Sequence, residues 1–193
     1  MVTDTLAGSY YGFAVGSAGD INGDGRSDIL VGAYRWESSA GDNDEGKVFV
    51  YFGSPAGPST VADWTWESNQ LNGLAGHAVG TAGDVNGDGY ADVLVGAPYE
   101  FPAESAGQAY LYLGSAAGLA ASAAWTVAGD QLDARFGQSL ATAGDVDGDG
   151  FDDVVTETST SVIDVDGDGE ADIVTTTETT VYDLDGDGVT DVI

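Results

Sequence analysis

The sequence predicts an all-β protein of repeated four-stranded units, arranged as propeller blades or stacked sheets, with a shorter-period β ladder or solenoid at its C-terminal end. Three observations carry this. A nine-residue loop of Asp, Asn and Gly returns five times, at Asp20–Asp28, Asp84–Asp92, Asp145–Asp153, Asp164–Asp172 and Asp183–Asp191. The first loops start 64 and then 61 residues apart, and the first two are followed by the same succession of apolar, β-prone runs. A period near 60 with four short strands per unit belongs to blades or stacked sheets. The last two loops follow at intervals of only 19 residues, too few for a four-stranded unit.

Taken in order, residues 10–19 read as a strand, residues 20–28 as a loop, and Ile29-Leu-Val-Gly-Ala-Tyr34 as a second strand. Beyond an acidic turn at Asp42–Glu45 comes Lys47-Val-Phe-Val-Tyr-Phe52, a strong β run that Gly53 ends. Gly53-Ser-Pro-Ala-Gly57 is a turn leading to a fourth strand at Trp64-Thr-Trp66. The plan then repeats from Gly76 through Val93-Leu-Val, Gln108-Ala-Tyr-Leu-Tyr-Leu113 and Trp125-Thr-Val127. A third unit opens at Phe136-Gly137 and runs into its loop. The segments at 154–163 and 173–182 are rich in Thr and Val, lack Gly and Pro, and suit single rungs that bury apolar residues against their neighbours. The expected organisation is units at about 10–74, 75–135 and 136–155 within residues 1–155, then tandem 19-residue repeats over 156–193. Because the chain stops at Ile193, where another strand would run, a longer protein is expected.

The loops carry the chemistry. Oxygen-bearing side chains stand at positions 1, 3, 5 and 9 of every copy, with Gly at 4 and 6 and an apolar residue at 2. Calcium takes six to eight oxygens at about 2.3–2.6 Å, and a tight loop with carboxylates at alternate positions supplies four, plus a main-chain carbonyl from position 7. The expected ligands are therefore Asp20, Asn22, Asp24, Arg26 and Asp28; Asp84, Asn86, Asp88, Tyr90 and Asp92; Asp145, Asp147, Asp149, Phe151 and Asp153. The last two loops add Asp164, Asp166, Asp168, Glu170 and Asp172, then Asp183, Asp185, Asp187, Val189 and Asp191. Arg26, Tyr90, Phe151, Glu170 and Val189 would each bind through the backbone carbonyl. An EF-hand would place a bidentate Glu at position 12, between helices. Here position 12 is Val31 or Val95, inside a strand-like run. An Asx-rich turn needs no metal, but five such turns would each crowd three or four carboxylates that resist joint ionisation.

Composition agrees. The 193 residues carry 33 acids against four bases, for a formal charge of -29, and 18 of those acids occupy positions 1, 3, 5 and 9 of the five loops. Such a chain repels itself, so metal binding is expected to be part of folding. It lacks the Lys and Arg that nucleic acid requires. Hydrophobic residues make up 42%, too many for disorder by charge alone. With no cysteine there is neither disulfide nor thiol nucleophile. No apolar run approaches a membrane span. Exposed carboxylate loops suit millimolar extracellular calcium, so an extracellular or cell-surface setting is expected, although Met1-Val-Thr-Asp4 resembles no export signal.

The first three units resemble FG-GAP repeats, the blades of the integrin alpha-type β-propeller and its bacterial relatives. The likeness rests on Tyr11-Gly12 and Phe136-Gly137 at unit starts, with Gly76-His77 in the second, on the loops, and on Gly32-Ala33-Tyr34 and Gly96-Ala97-Pro98 after them. In the third unit Val155-Thr156 replaces that ending. The resemblance covers about residues 10–155 and implies calcium at the first three loops. The tail is similar to short Asp-Gly calcium repeats of secreted bacterial proteins. A family ring of seven blades would need roughly 430 residues at this period, so an incomplete ring is expected, with open edges that invite pairing with other copies.

These readings point to a non-catalytic, calcium-binding structural or adhesion module, which self-assembly could extend into a surface filament or scaffold. The alternative is a non-catalytic binding domain of a larger secreted enzyme. The expected partners are a protein or carbohydrate at a cell surface, or other copies of the chain. Trp64, Trp66, Trp125, Phe49, Tyr51, Tyr110 and Tyr112 recur at equivalent places and read as sheet packing rather than a sugar platform. Trp36, in the acidic insertion, has no counterpart and reads as an exposed contact. His77, the one histidine, reads as packing.

Overall fold

The computed structural model describes residues 8–38, 44–99, 106–144 and 152–156. Two four-stranded antiparallel sheets and a hairpin follow one another along the chain. The first sheet orders β1 (Ala14–Gly19), β2 (Asp28–Ala33), β3 (Lys47–Tyr51) and β4 (Trp64–Glu67) side by side. The second repeats it with β5 (Ala78–Gly83), β6 (Asp92–Ala97), β7 (Gln108–Tyr112) and β8 (Trp125–Ala128). The hairpin pairs β9 (Leu140–Gly144) with β10 (Asp153–Thr156). These are blade-like sheets, and β1 packs beside β5 and β5 beside β9.

Alternation sorts each sheet into two faces. Ala18, Leu30, Val48 and Val50 of the first sheet meet Val93, Val95 and Tyr112 of the second in one buried cluster. Trp64 and Trp66 close its rim, with ring centroids 5.2 Å (Trp64–Tyr112) and 4.7 Å (Trp66–Tyr110) apart. The opposite face of the second sheet, through Ala82, Leu94, Leu111 and Trp125, receives Leu140 of the third unit. Trp64, Trp66, Tyr110, Tyr112 and Trp125 are thus sheet-to-sheet packing, whereas Phe49 and Tyr51 pack on the other face of the first sheet. On the uncovered side of the first sheet Val15 is 63% exposed, and there Tyr11 packs on Phe49 and donates its hydroxyl to that of Tyr51 (2.7 Å).

Glycine decides how closely units approach. A Cβ on Gly32 would overlap the Gly76 carbonyl, and one on Gly96 would overlap that of Gly137. The small residue in each Gly-Ala ending is therefore the seat of the next unit's start. Parallel bridges Gly46↔Ala75 and Gly107↔Phe136 fasten the same junctions.

That junction corrects the reading of the second unit's start. The turn closed by Phe13 N–H on Tyr10 recurs as His77 on Leu74 and Gln138 on Arg135. Ala75-Gly76 therefore stands where Tyr11-Gly12 and Phe136-Gly137 stand, and His77 lies one residue beyond the slot. Its ring packs with Phe13 (5.1 Å) and Tyr34 (5.6 Å), and burial lowers its pKa. Trp36 is only half-buried, but Lys47 Nζ sits 4.2 Å from its ring centroid, so the protein already supplies that ring with a partner.

Candidate metal centre

The first two loops join the inner hairpins β1–β2 and β5–β6 and are built alike. In each, one residue is extra to the ladder just before the loop: the register shifts between Ser17 and Gly19, and between Thr81 and Gly83. The bulge turns the chain out of the sheet and leaves Gly19 opposite Asp28, and Gly83 opposite Asp92. Positions 0 and 9 are thereby neighbours, so the last carboxylate stands under the loop it closes.

Within the loop the acids fold onto backbone amides. Asp20 accepts from Asp24 N (3.0 Å) and Gly25 N (2.7 Å), and Asn22 Oδ1 from Asp24 N (3.1 Å). Asp84 accepts likewise from Asp88 N (3.0 Å) and Gly89 N (2.8 Å), and Asn86 Oδ1 from Asp88 N (3.1 Å). Asp24 and Asp88 each accept from the position-7 amide, of Arg26 (2.9 Å) and Tyr90 (3.0 Å). Arg26 also sets its guanidinium 3.5 Å from Asp24 Oδ2.

Position 9 lies deepest. Asp28 accepts from Ile21 N (3.0 Å) and Gly53 N (2.8 Å), and Asp92 from Val85 N (3.0 Å) and Gly114 N (2.8 Å). Asp28 is 1% and Asp92 0% exposed. Burial, with Asp88 and Asp84 nearby, pushes the Asp92 carboxyl up to about 6 although both amides pull it down. Asp28 moves the same way, chiefly by burial. Carboxylates are seldom this buried unless paired, and the four described Lys and Arg side chains are engaged elsewhere: Arg26 on Asp24, Arg35 on Asp44, Lys47 on Glu67 and Arg135 over the Tyr99 ring.

Among the described residues no three acidic, His or Cys side chains converge as a ready metal cluster. Asn at position 3 leaves three carboxylates per loop, and these are turned onto loop amides rather than onto one point. The donor set still fits a hard divalent cation. An amide-bonded carboxylate oxygen keeps a second lone pair, every donor is oxygen, and a buried negative charge without a cationic partner awaits neutralisation. Val31 and Val95 at position 12 are buried strand residues, which excludes the EF-hand geometry. Of the third loop, Asp145, Asp147, Asp149 and Phe151 lie outside the described residues, as do all ligands expected in the fourth and fifth; Asp153 opens β10.

Sequence reasoning missed the clamps on position 9. Gly53 reads only as a turn residue, yet its amide and that of its counterpart Gly114 hold the position-9 carboxylates. A Cβ on Gly53 would lie 2.6 Å from the Ser27 carbonyl, and one on Gly114 would overlap that of Ala91. The recurrence of Gly-Ser-x-Ala-Gly at 53–57 and 114–118 was the available signal. Ile21 and Val85 at position 2 are buried plugs whose amides are the other half of the clamp.

Residues 11–51 and 75–112 match the model of the FG-GAP repeat family. Integrin alpha-PS2 of Drosophila melanogaster is 36% identical over 138 residues, 68% of this chain and 10% of the relative. Integrin alpha-IIb of Mus musculus is 40% identical over 116 residues, 58% and 11% respectively. Integrin alpha-4 of Xenopus laevis is 36% identical over 138 residues, 69% and 13%. The chain thus spans about a tenth of the length of these curated relatives. Residues 11–51 and 75–112 thus carry FG-GAP repeats, with homology to the β-propeller blades of integrin alpha chains.

Proposed function

We propose that the chain is a calcium-rigidified, non-catalytic adhesion or scaffold module that works outside the cell. The observation that carries this is the pair of buried position-9 carboxylates, Asp28 and Asp92, each held by two backbone amides at the foot of an acidic loop and neither facing a described cation. Asp20, Asn22, Asp24, Asp28 and the Arg26 carbonyl would hold one ion, and Asp84, Asn86, Asp88, Asp92 and the Tyr90 carbonyl another. The third loop would use Asp145, Asp147, Asp149, Asp153 and the Phe151 carbonyl. Calcium supplies positive charge at each hairpin. The protein's residues do the rest: position 9 ties loop to strand, position 2 ties loop to core, and the glycine seats pass that rigidity to the next unit.

We place the blade-like units at about 10–74, 75–135 and 136–155, and read 156–193 as short calcium repeats whose loops bind in the same way. No helix among the described residues is long and apolar enough to cross a membrane. The partner is a surface protein or carbohydrate, or another copy of the chain. The test is sedimentation and circular dichroism of one sample in excess calcium and then in EGTA. Loss of β signal on chelation, from a discrete monomer or from larger assemblies, supports the reading. Indifference of both signals to calcium overturns it.

A further inference from the structure

We propose that the calcium loops of successive units form one coupled row, in which Tyr90 and Ala91 are positioning residues for the first site and Asp152 is one for the second. This coupling rests on the calcium reading above and adds a linkage that no single loop contains. At the first junction Ala91 N–H donates to the Asp20 carbonyl (3.0 Å). Its methyl lies 2.5 Å from where a Cβ on Gly19 would stand, and the Tyr90 ring lies 2.7 Å from where one on Gly23 would stand. Ser115 N–H, just beyond the Asp92 clamp, donates to the Ile21 carbonyl (3.1 Å). The second loop therefore touches the first at positions 0, 1 and 4, and the turn after β7 touches it at position 2.

Tyr90 and Ala91 stand between two donors of their own loop, Asp88 and Asp92, and the Tyr90 carbonyl is a third. An ion in the second loop would fix the backbone of 88–92, which holds Asp20 through the Ala91 amide and carries the Tyr90 ring that lies on Gly23. Ordering one loop thus removes part of the ordering needed by its neighbour, which is positive cooperativity without a change of shape. The second junction repeats the arrangement with one addition. Asp152 N–H donates to the Asp84 carbonyl (3.3 Å), and Asp152 Oδ2 accepts from Asp84 N–H (3.0 Å). Position 8 is Ser27 in the first loop, Ala91 in the second and Asp152 in the third. Only the last can hold the preceding loop's first ligand from both sides, and its charge also lies beside that site.

The experiment is a calcium titration of the full chain followed by NMR at Gly25 and Gly89, whose amides donate to the first Asp of each loop. Asp88→Ala disables the second site. The Gly25 midpoint then moves to higher calcium by a factor in the range of about 5 to 150, and Asp24→Ala moves Gly89 by the same factor, since linkage is reciprocal. Tyr90→Ala keeps every donor of its own loop and shifts Gly25 more than Gly89. It serves also if Asp88→Ala fails to fold. Asp152→Ala weakens the Gly89 response more than Asp152→Asn, which keeps an acceptor. A Gly25 midpoint unmoved by Asp88→Ala or Tyr90→Ala, with Gly25 itself still titrating, overturns the coupling and leaves the calcium reading standing. If neither glycine responds in the unaltered chain, both fall together.

Discussion

The first and second acidic loops share nearly every internal hydrogen bond and differ in what surrounds them. Asp84 is held at both its amide and its carbonyl by Asp152 of the third unit, whereas Asp20 is held by Ala91 at its carbonyl. Asp92 is buried where β6 is covered on both faces; Asp28 opens a strand whose Ile29 and neighbouring Val15 face outward. The first loop carries Arg26 at position 7 and the second carries Tyr90, whose ring lies on Gly23 of the first. Nine residues therefore specify the loop's shape, while the next unit specifies how deeply its charge is buried. On the proposed calcium reading both would set binding strength, so the two loops should not respond alike to equivalent changes.

The largest asymmetry is expected at position 9. Asp92→Ala orphans the Val85 and Gly114 amides in a fully buried place, each at about 1–3 kcal/mol, and should abolish cooperative thermal unfolding of the second sheet. Asp28→Ala orphans Ile21 and Gly53 beside a partly open face and should lower the melting temperature less. Differential scanning calorimetry of both variants in calcium checks the order, and equal losses would mean that burial by the neighbouring unit contributes nothing.

Next come the seats between units. Gly96→Ala and Gly32→Ala each force a methyl into a carbonyl of the following unit, an overpacking of about 1–3 kcal/mol. Because these positions lie far along the strand from the loops, calcium stoichiometry should be retained while stability falls. A loss of bound calcium, counted by equilibrium dialysis, would show instead that junction and loop are one cooperative element.

The strands were legible because alternating Val, Ile, Tyr and Trp runs between Gly turns are local signals, and β2, β3, β4 and their repeats fall where those runs lie. Spacing also picked out the side chains that fold onto backbone amides in the first two loops, at positions 1, 3, 5 and 9. What escaped was whatever depends on contact between units. The Gly53 and Gly114 amides lie 25 and 22 residues from the carboxylates they clamp. The alignment of Ala75 with Tyr11 is carried by backbone turns and bridges, not by residue type, since alanine keeps none of the aromatic signal. Trp36 looked exposed because nothing local announces that Lys47, across the turn, lies over its ring.

pH sharpens the comparison further. The folded Asp92 carboxyl is raised to about 6, above its ordinary value, so its ionised form opposes folding. That destabilisation is absent below about pH 4, where both states are protonated, and complete above about pH 6. With calcium removed beforehand by dialysis, the chain should therefore lose melting temperature between pH 4 and 6, and Asp92→Asn should flatten this part of the profile. Asp28→Asn should flatten it less. Excess calcium should reverse the trend, because the ion stabilises the ionised carboxylate.

The smallest expected effect belongs to position 7, where only the main chain would bind the ion. Arg26→Ala removes a guanidinium 3.5 Å from Asp24 Oδ2 on an exposed part of the loop. Surface pairs contribute about 0–1 kcal/mol, so fold stability should barely change. Calcium affinity of the first loop should rise a few-fold instead, because a positive charge leaves the ligand shell's edge and a carboxylate oxygen is freed. The gain should shrink as salt rises toward roughly 1 M, where the Debye length falls to about 3 Å. Tyr90→Arg, the reciprocal change, should weaken the second site, but also the first, since the ring that lies on Gly23 is lost. Titrating both variants at low and high salt separates the two contributions: a salt-sensitive change at the substituted loop is charge, and a salt-insensitive change at its neighbour is packing.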